Sequence, residues 1–132
     1  MELRLKKGED RRLRAGHAWV FSNEVDIAGT PLTAFRPGDV ARVVSDRGAF
    51  LGHACVNPHA LICARILSRD ERLEPDAAFF AARIGRALRL RTRLYPTPHY
   101  RLVFGESDEL PGLIVDRYGE VAVGQIATAG ME

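Results

Sequence analysis

The spacing of short apolar runs in the first half of the chain leaves few folds open. Residues 18–21, 25–27, 40–44, 49–56 and 61–67 are each too short for a stable helix, and they are rich in β-branched or aromatic residues. The breaks between them carry turn chemistry. Gly29, Pro31 and Pro37 mark one loop, Arg36-Pro37-Gly38-Asp39 and Asp46-Arg47-Gly48 mark turns, and Asn57-Pro58-His59 marks another. Residues 3–5 add a short alternating segment, followed by a polar stretch over residues 7–14. Five or six short strands with almost no helix predict a small β-barrel or sandwich.

The pattern changes after residues 68–75. Glu74-Pro75-Asp76 predicts a helix start, with proline at the first helical position and an acid beside the positive end of the dipole. Phe80, Ile84, Ala87, Leu88 and Leu94 then recur at helical spacing, with Arg86, Arg89 and Arg93 on the opposite side. Pro96 and Pro98 end the helix near Tyr95. A β-meander is expected next: residues 100–104, a polar loop over 105–112, residues 113–116, a turn at Arg117-Tyr118-Gly119, and residues 121–126. One helix and three strands bury little apolar surface, and nothing in the last residues caps a sheet. The second half therefore reads as the first part of a larger α/β domain in a longer protein. The fold class is mainly β with α: a β-pseudobarrel over residues 1–70, then the helix and meander of residues 71–132.

Charge separates the halves more sharply than the net +2 of the whole chain suggests. Residues 1–69 carry 11 Lys/Arg against 7 Asp/Glu, whereas residues 70–132 carry 8 against 10. The basic excess is densest at Lys6, Lys7, Arg11, Arg12 and Arg14, just before Gly16 and His17. A glycine corner lets backbone approach a phosphate closely, and neighbouring cations supply the salt-dependent part of affinity. These seven residues are the candidate nucleic-acid-binding set, although a short basic run is also compatible with a plain solvated face. Trp19 is expected in the core, with a base-stacking platform as the other reading. The loop Gly105-Glu106-Ser107-Asp108-Glu109 is either a solvated connection or, through Glu106 and Asp108, the wall of a cleft completed by another domain.

Other chemistries find little support. There is no GxSxG elbow, no P-loop and no GxGxxG opening a helix after a strand. Cys55 and Cys63 stand without a CxxC or Cys/His cluster and read as small buried hydrophobes, so no metal site is expected. The N-terminus lacks the apolar core and cleavage site of a secretory signal, and no apolar run reaches bilayer length. A cytoplasmic protein without a membrane partner is expected.

Three stretches carry a family resemblance. KKGEDRRLRAGHAWVFSNEV (residues 6–25) resembles the opening of the ribosomal RNA large subunit methyltransferase I family. GAFLGHA (residues 48–54) with Asn57-Pro58 is similar to that family's PUA hairpin. GESDELPGLIVDRYG (residues 105–119), followed by Gln125, is similar to its central-domain signature. The family comprises PUA-domain-containing, S-adenosylmethionine-dependent cytosine-C5 RNA methyltransferases. The resemblance implies an RNA-binding PUA domain over residues 1–70 and a truncated central domain over residues 71–132. A Rossmann-like catalytic domain, present in cis in the family, has no counterpart here. It follows that these residues bind no cofactor and catalyse nothing alone, the methyl donor belonging to the full-length family. Cys55 and Cys63 do not inherit the family's catalytic cysteine role. Structured ribosomal RNA is the implied partner, with Lys6, Lys7, Arg11, Arg12, Arg14, Gly16 and His17 as the implied RNA-binding residues. A stand-alone PUA module, or a dimerisation or docking region without RNA contact, are the alternatives.

Overall fold

The structure, a computed structural model, describes residues 1–132. It comprises two compact units, Met1–Glu74 and Pro75–Glu132. The first contains β1 (Glu2–Arg4), α1 (Arg11–Arg14), β2 (Trp19–Phe21), β3 (Val40–Val44), β4 (Phe50–Val56) and β5 (Ile62–Ser68). Its sheet runs β1-β3-β4-β5-β2, antiparallel except for the β1/β3 pair. The ends of this order are brought together by backbone bonds. Leu5 bridges Val25, Lys6 N–H donates to the Glu24 carbonyl, and Asp26 N–H donates to the Arg4 carbonyl. The sheet thus curls into a half-barrel, in agreement with the expected pseudobarrel. Leu3, Leu13, Val20, Val43, Val56 and Cys63 fill its interior.

Close approach shapes one wall. At Gly52 in β4, a Cβ would lie 2.9 Å from the Ser68 carbonyl oxygen, so only glycine lets these backbones meet. The unit continues to Glu74, past the boundary expected at residue 70. Glu71 ties this extension back: its carbonyl meets His53 Nε2 at 3.2 Å and its carboxylate pairs with Arg42.

Three sequence expectations for this unit are corrected. The polar stretch of residues 7–14 contains α1, whose single apolar residue, Leu13, is fully buried. One leucine among charges gives no periodic signal. Residues 25–27 form no strand: Val25 makes one bridge, and the chain turns at once through Thr30 N–H to the Asp26 carbonyl. Trp19 is not in the core. It is 39% exposed, because Val20 takes the inward position on β2 and strand alternation sends its neighbours outward.

The second unit contains α2 (Ala77–Leu94), β6 (His99–Phe104), β7 (Leu113–Tyr118) and β8 (Val121–Ile126), the strands forming an antiparallel sheet in that order. Asp76, rather than the residue before a proline start, caps the helix: its Oδ1 accepts the Phe79 N–H at 2.8 Å. Pro75 therefore precedes the cap instead of occupying the first helical position. A carboxylate satisfies an orphan N–H, which proline at that place would not. The core gathers Ala87, Leu102, Val103 and Leu110, with Phe80, Ile84, Leu113 and Val115 packed against it. Leu88 and Leu94 lie exposed, contrary to the expected face. The buried stripe instead continues from Ala87 to Arg91, whose guanidinium has a buried acidic partner. The loop expected over residues 105–112 begins with a 3-10 turn, Gly105–Asp108, and β7 runs to Tyr118 before the hairpin. No helix is long and apolar enough to cross a membrane.

Candidate nucleic-acid interface

The basic corner is built by α1 and the approach to β2. The chain leaves β1, turns through Gly8, makes the single turn of α1, and reverses at Gly16, whose φ of +101° is open to glycine but strained for other residues. Nothing lies within 4 Å of where a Gly16 Cβ would project, so the corner is open. Lys6, Lys7, Arg11, Arg14, Gly16 and His17 are all exposed.

The expected set is not uniform. Arg12 Nη1 donates to Glu24 Oε1 at 2.7 Å, and Glu24, only 5% exposed, also accepts the Phe21 N–H on Oε2 at 2.8 Å. Arg12 also lies over the Phe21 ring, 4.9 Å from its centroid. It is thereby committed to joining α1 to β2. Arg14 pairs with Asp10 at 2.6 Å, and this hydrogen bond holds the Asp10 carboxyl below the usual range. Lys6 Nζ donates to the Asn23 carbonyl at 2.8 Å. Lys7 and Arg11 extend the exposed positive surface beside them.

Sequence reasoning missed the residue that holds this corner in shape. Arg69, just after β5, donates through its two terminal nitrogens to the carbonyls of Leu13 and His17, each at 2.7 Å. These carbonyls flank the glycine reversal, so one planar guanidinium bridges it. The partners stand 56 and 52 residues away along the chain, and no local pattern could announce the pairing.

The acidic loop of the second unit is organised differently. Asp108, 8% exposed, receives both terminal nitrogens of Arg91 at 2.6 and 2.7 Å, and its Oδ2 also accepts the Phe104 N–H at 2.7 Å. This pairing fastens the loop to α2 and β6. Glu106 is exposed beside it. Glu109, in left-handed backbone at φ +58°, takes Arg86 on its carboxylate and Arg83 on its carbonyl. On the sheet, Arg101 and Asp116 form a two-point pair at 2.8 and 3.1 Å that holds the Asp116 carboxyl low. Cys55 and Cys63 are both pushed up to about 11 by burial. No three His, Cys, Asp or Glu side chains gather as metal ligands.

Comparison with known proteins agrees with this architecture. A family model described as a PUA-like domain matches residues 3–69. The ribosomal RNA large subunit methyltransferase I of Shewanella denitrificans is 39% identical, with all of this chain aligned to 34% of that protein. The Vibrio cholerae protein of the same name is also 39% identical, over 97% of this chain and 32% of its own length. This chain thus spans about a third of the curated relatives it matches. A crystal structure of a methyltransferase complexed with SAH superposes with a TM-score of 0.80 at 17% identity, covering 99% of this chain and 33% of that one. A SAM-dependent methyltransferase from Streptococcus mutans gives 0.78 at 17% identity, over 99% and 34%. At this identity the superpositions establish the shared fold. Because the matching family model takes in just over half of the sequence, and those residues make up the curled sheet and its glycine corner, the chain belongs to the PUA-like domain family.

Proposed function

We propose that the first unit grips structured ribosomal RNA through the corner formed by Lys6, Lys7, Arg11, Arg14, Gly16 and His17. On this reading it serves as the N-terminal region of an S-adenosylmethionine-dependent ribosomal RNA cytosine-C5 methyltransferase in the cytoplasm. The observation that carries the reading is the solvent exposure of these residues around an open glycine reversal. Phosphates are attracted by the clustered charge and can approach backbone that has no side chain in the way. Arg12 acts through position, holding α1 against β2 by way of Glu24.

The residues present do not suit the methyl donor. The second unit's sheet is wholly antiparallel, and no glycine-rich turn leads from a parallel strand into a helix in either unit. On the proposed reading, methyl transfer belongs to a further domain in cis, to which this chain contributes RNA affinity and orientation. Docking of the second unit on such a domain, or homodimerisation through it, is the second reading. It is favoured by the exposure of Val121, Val123 and Ile126 on the outermost strand.

Titration of a labelled ribosomal RNA stem-loop across a salt series tests the proposal. Replacing Lys6, Lys7 and Arg11 together by alanine is expected to lower affinity at least tenfold at low salt. It should also reduce the salt slope by roughly one unit for each phosphate that is no longer neutralised. Unchanged binding at low salt would remove the corner from the interface.

A further inference from the structure

The outward side of α2 carries a charge pattern that the helix's own stability does not explain. The helix holds five arginines, at positions 83, 86, 89, 91 and 93, and no Asp or Glu. Three of them are committed to the loop after β6: Arg83 and Arg86 to Glu109, and Arg91 to Asp108. Arg89 and Arg93 are exposed and have no hydrogen-bond or ion-pair partner. They stand one turn apart on the same face, about 6 Å along the axis. Like charges at that spacing destabilise a helix, and no acid on α2 offsets them. The peptide dipoles account for Arg93, which is in the last turn, but not for Arg89. Small residues flank the pair. Ala82 and Thr92 are exposed, and the Thr92 hydroxyl is spent on the Leu88 carbonyl. Around the position that a Gly85 Cβ would take, only Arg89 Nη1 comes within 4 Å, so the crest of the helix is low and open there.

We propose that Arg89 and Arg93 on the crest of α2 bind the phosphate backbone of RNA, as a second contact in addition to the Gly16 corner. A polyanion offsets the repulsion between the two guanidinium groups, which a plainly solvated face would relieve with interleaved acids. Every Lys/Arg position of Pro75–Glu132 is arginine, the chain's two lysines being Lys6 and Lys7. The planar guanidinium fork suits phosphate oxygens two at a time. The contact reads backbone and not base, so it adds affinity and orientation without sequence preference. This inference rests on the RNA reading above.

The 132-residue protein is titrated with a labelled stem-loop RNA across a salt series, beside three double variants. Arg89→Gln with Arg93→Gln is expected to lower affinity several-fold at low salt and to reduce the salt slope by roughly two units. Arg89→Lys with Arg93→Lys should keep the slope while losing part of the affinity, since an ammonium neutralises a phosphate without the fork. Arg36→Gln with Arg47→Gln removes the same charge from exposed residues of the first unit and should leave binding close to the parent's. An equal loss in that control would assign the effect to bulk charge and overturn the contact. The tyrosine-detected urea midpoint of the glutamine variant should hold or rise, because a like-charge pair is relieved. Lost binding together with a lowered midpoint would make the two arginines structural and equally overturn the contact. If the glutamine variant binds as the parent does while replacement of Lys6, Lys7 and Arg11 weakens binding, the α2 contact is overturned and the RNA reading stands. If the parent protein binds no RNA, the RNA reading itself fails and the inference with it.

Discussion

Glu24 illustrates how one buried carboxylate decides what its neighbours can do. Held at 5% exposure, it needs partners, and it finds them in the Arg12 guanidinium and the Phe21 amide. Arg12 is thus withdrawn from the cations open to a ligand, although nothing in the sequence distinguishes it from Arg11. At the cysteines burial acts on the thiol itself. It disfavours the thiolate, raising both groups from 9.0 to about 11. The stabilising contribution of the protonated thiols is fully present below pH 9 and is lost as the pH rises from about 9 through about 11. Equilibrium unfolding measured across that interval should show a falling midpoint, and Cys55→Ser with Cys63→Ala should flatten the fall. At pH 8 the native thiols should react about a hundredfold more slowly with a thiol reagent than a free cysteine, since only the thiolate is nucleophilic.

Among elements, α1 is the one least able to stand alone. A single helical turn has no intrinsic stability, and its conformation is imposed by Leu13 in the core, Arg12 on Glu24 and Arg69 on the carbonyls beyond its end. The cation at the helix C-terminus also complements the peptide dipoles there. Arg69→Ala is therefore expected to accelerate amide exchange over residues 14–18 and to weaken RNA binding several-fold while the sheet remains folded. Arg69→Lys should rescue little of this, because a single ammonium does not present the planar fork that reaches two carbonyls. Full recovery by lysine would reduce the role of Arg69 to charge alone.

At the scale of the molecule, the two units carry separate spectroscopic reporters. The only tryptophan is in Met1–Glu74, and all three tyrosines, Tyr95, Tyr100 and Tyr118, are in Pro75–Glu132. The second unit depends on the Arg91–Asp108 pair, both partners being largely buried. Removing one partner of such a pair leaves an uncompensated charge and costs about 3 kcal/mol. Asp108→Ala should accordingly move the tyrosine-detected unfolding transition to lower urea and leave the tryptophan-detected one in place. A matching shift in both signals would mean that the units unfold as one.

Much of this molecule is legible in the order of its residues. Strand alternation and turn residues determine β3, β4 and β5 nearly to the residue, because periodicity two and proline or glycine breaks are local properties of the chain. The resemblance of residues 6–25 and 105–119 points to the ribosomal RNA large subunit methyltransferase I proteins that align along the whole chain at 39% identity. Local rules also locate α2, though they put Leu88 and Leu94 on its buried face and Pro75 inside it. What tertiary structure alone decided were the long-range pairings: Arg69 across the glycine corner, Glu24 on Arg12, and Arg91 on Asp108. It also decided that Trp19 faces outward. A charged side chain has many partners of suitable sign in the sequence, and only the folded chain brings one of them within hydrogen-bonding distance and takes the water away.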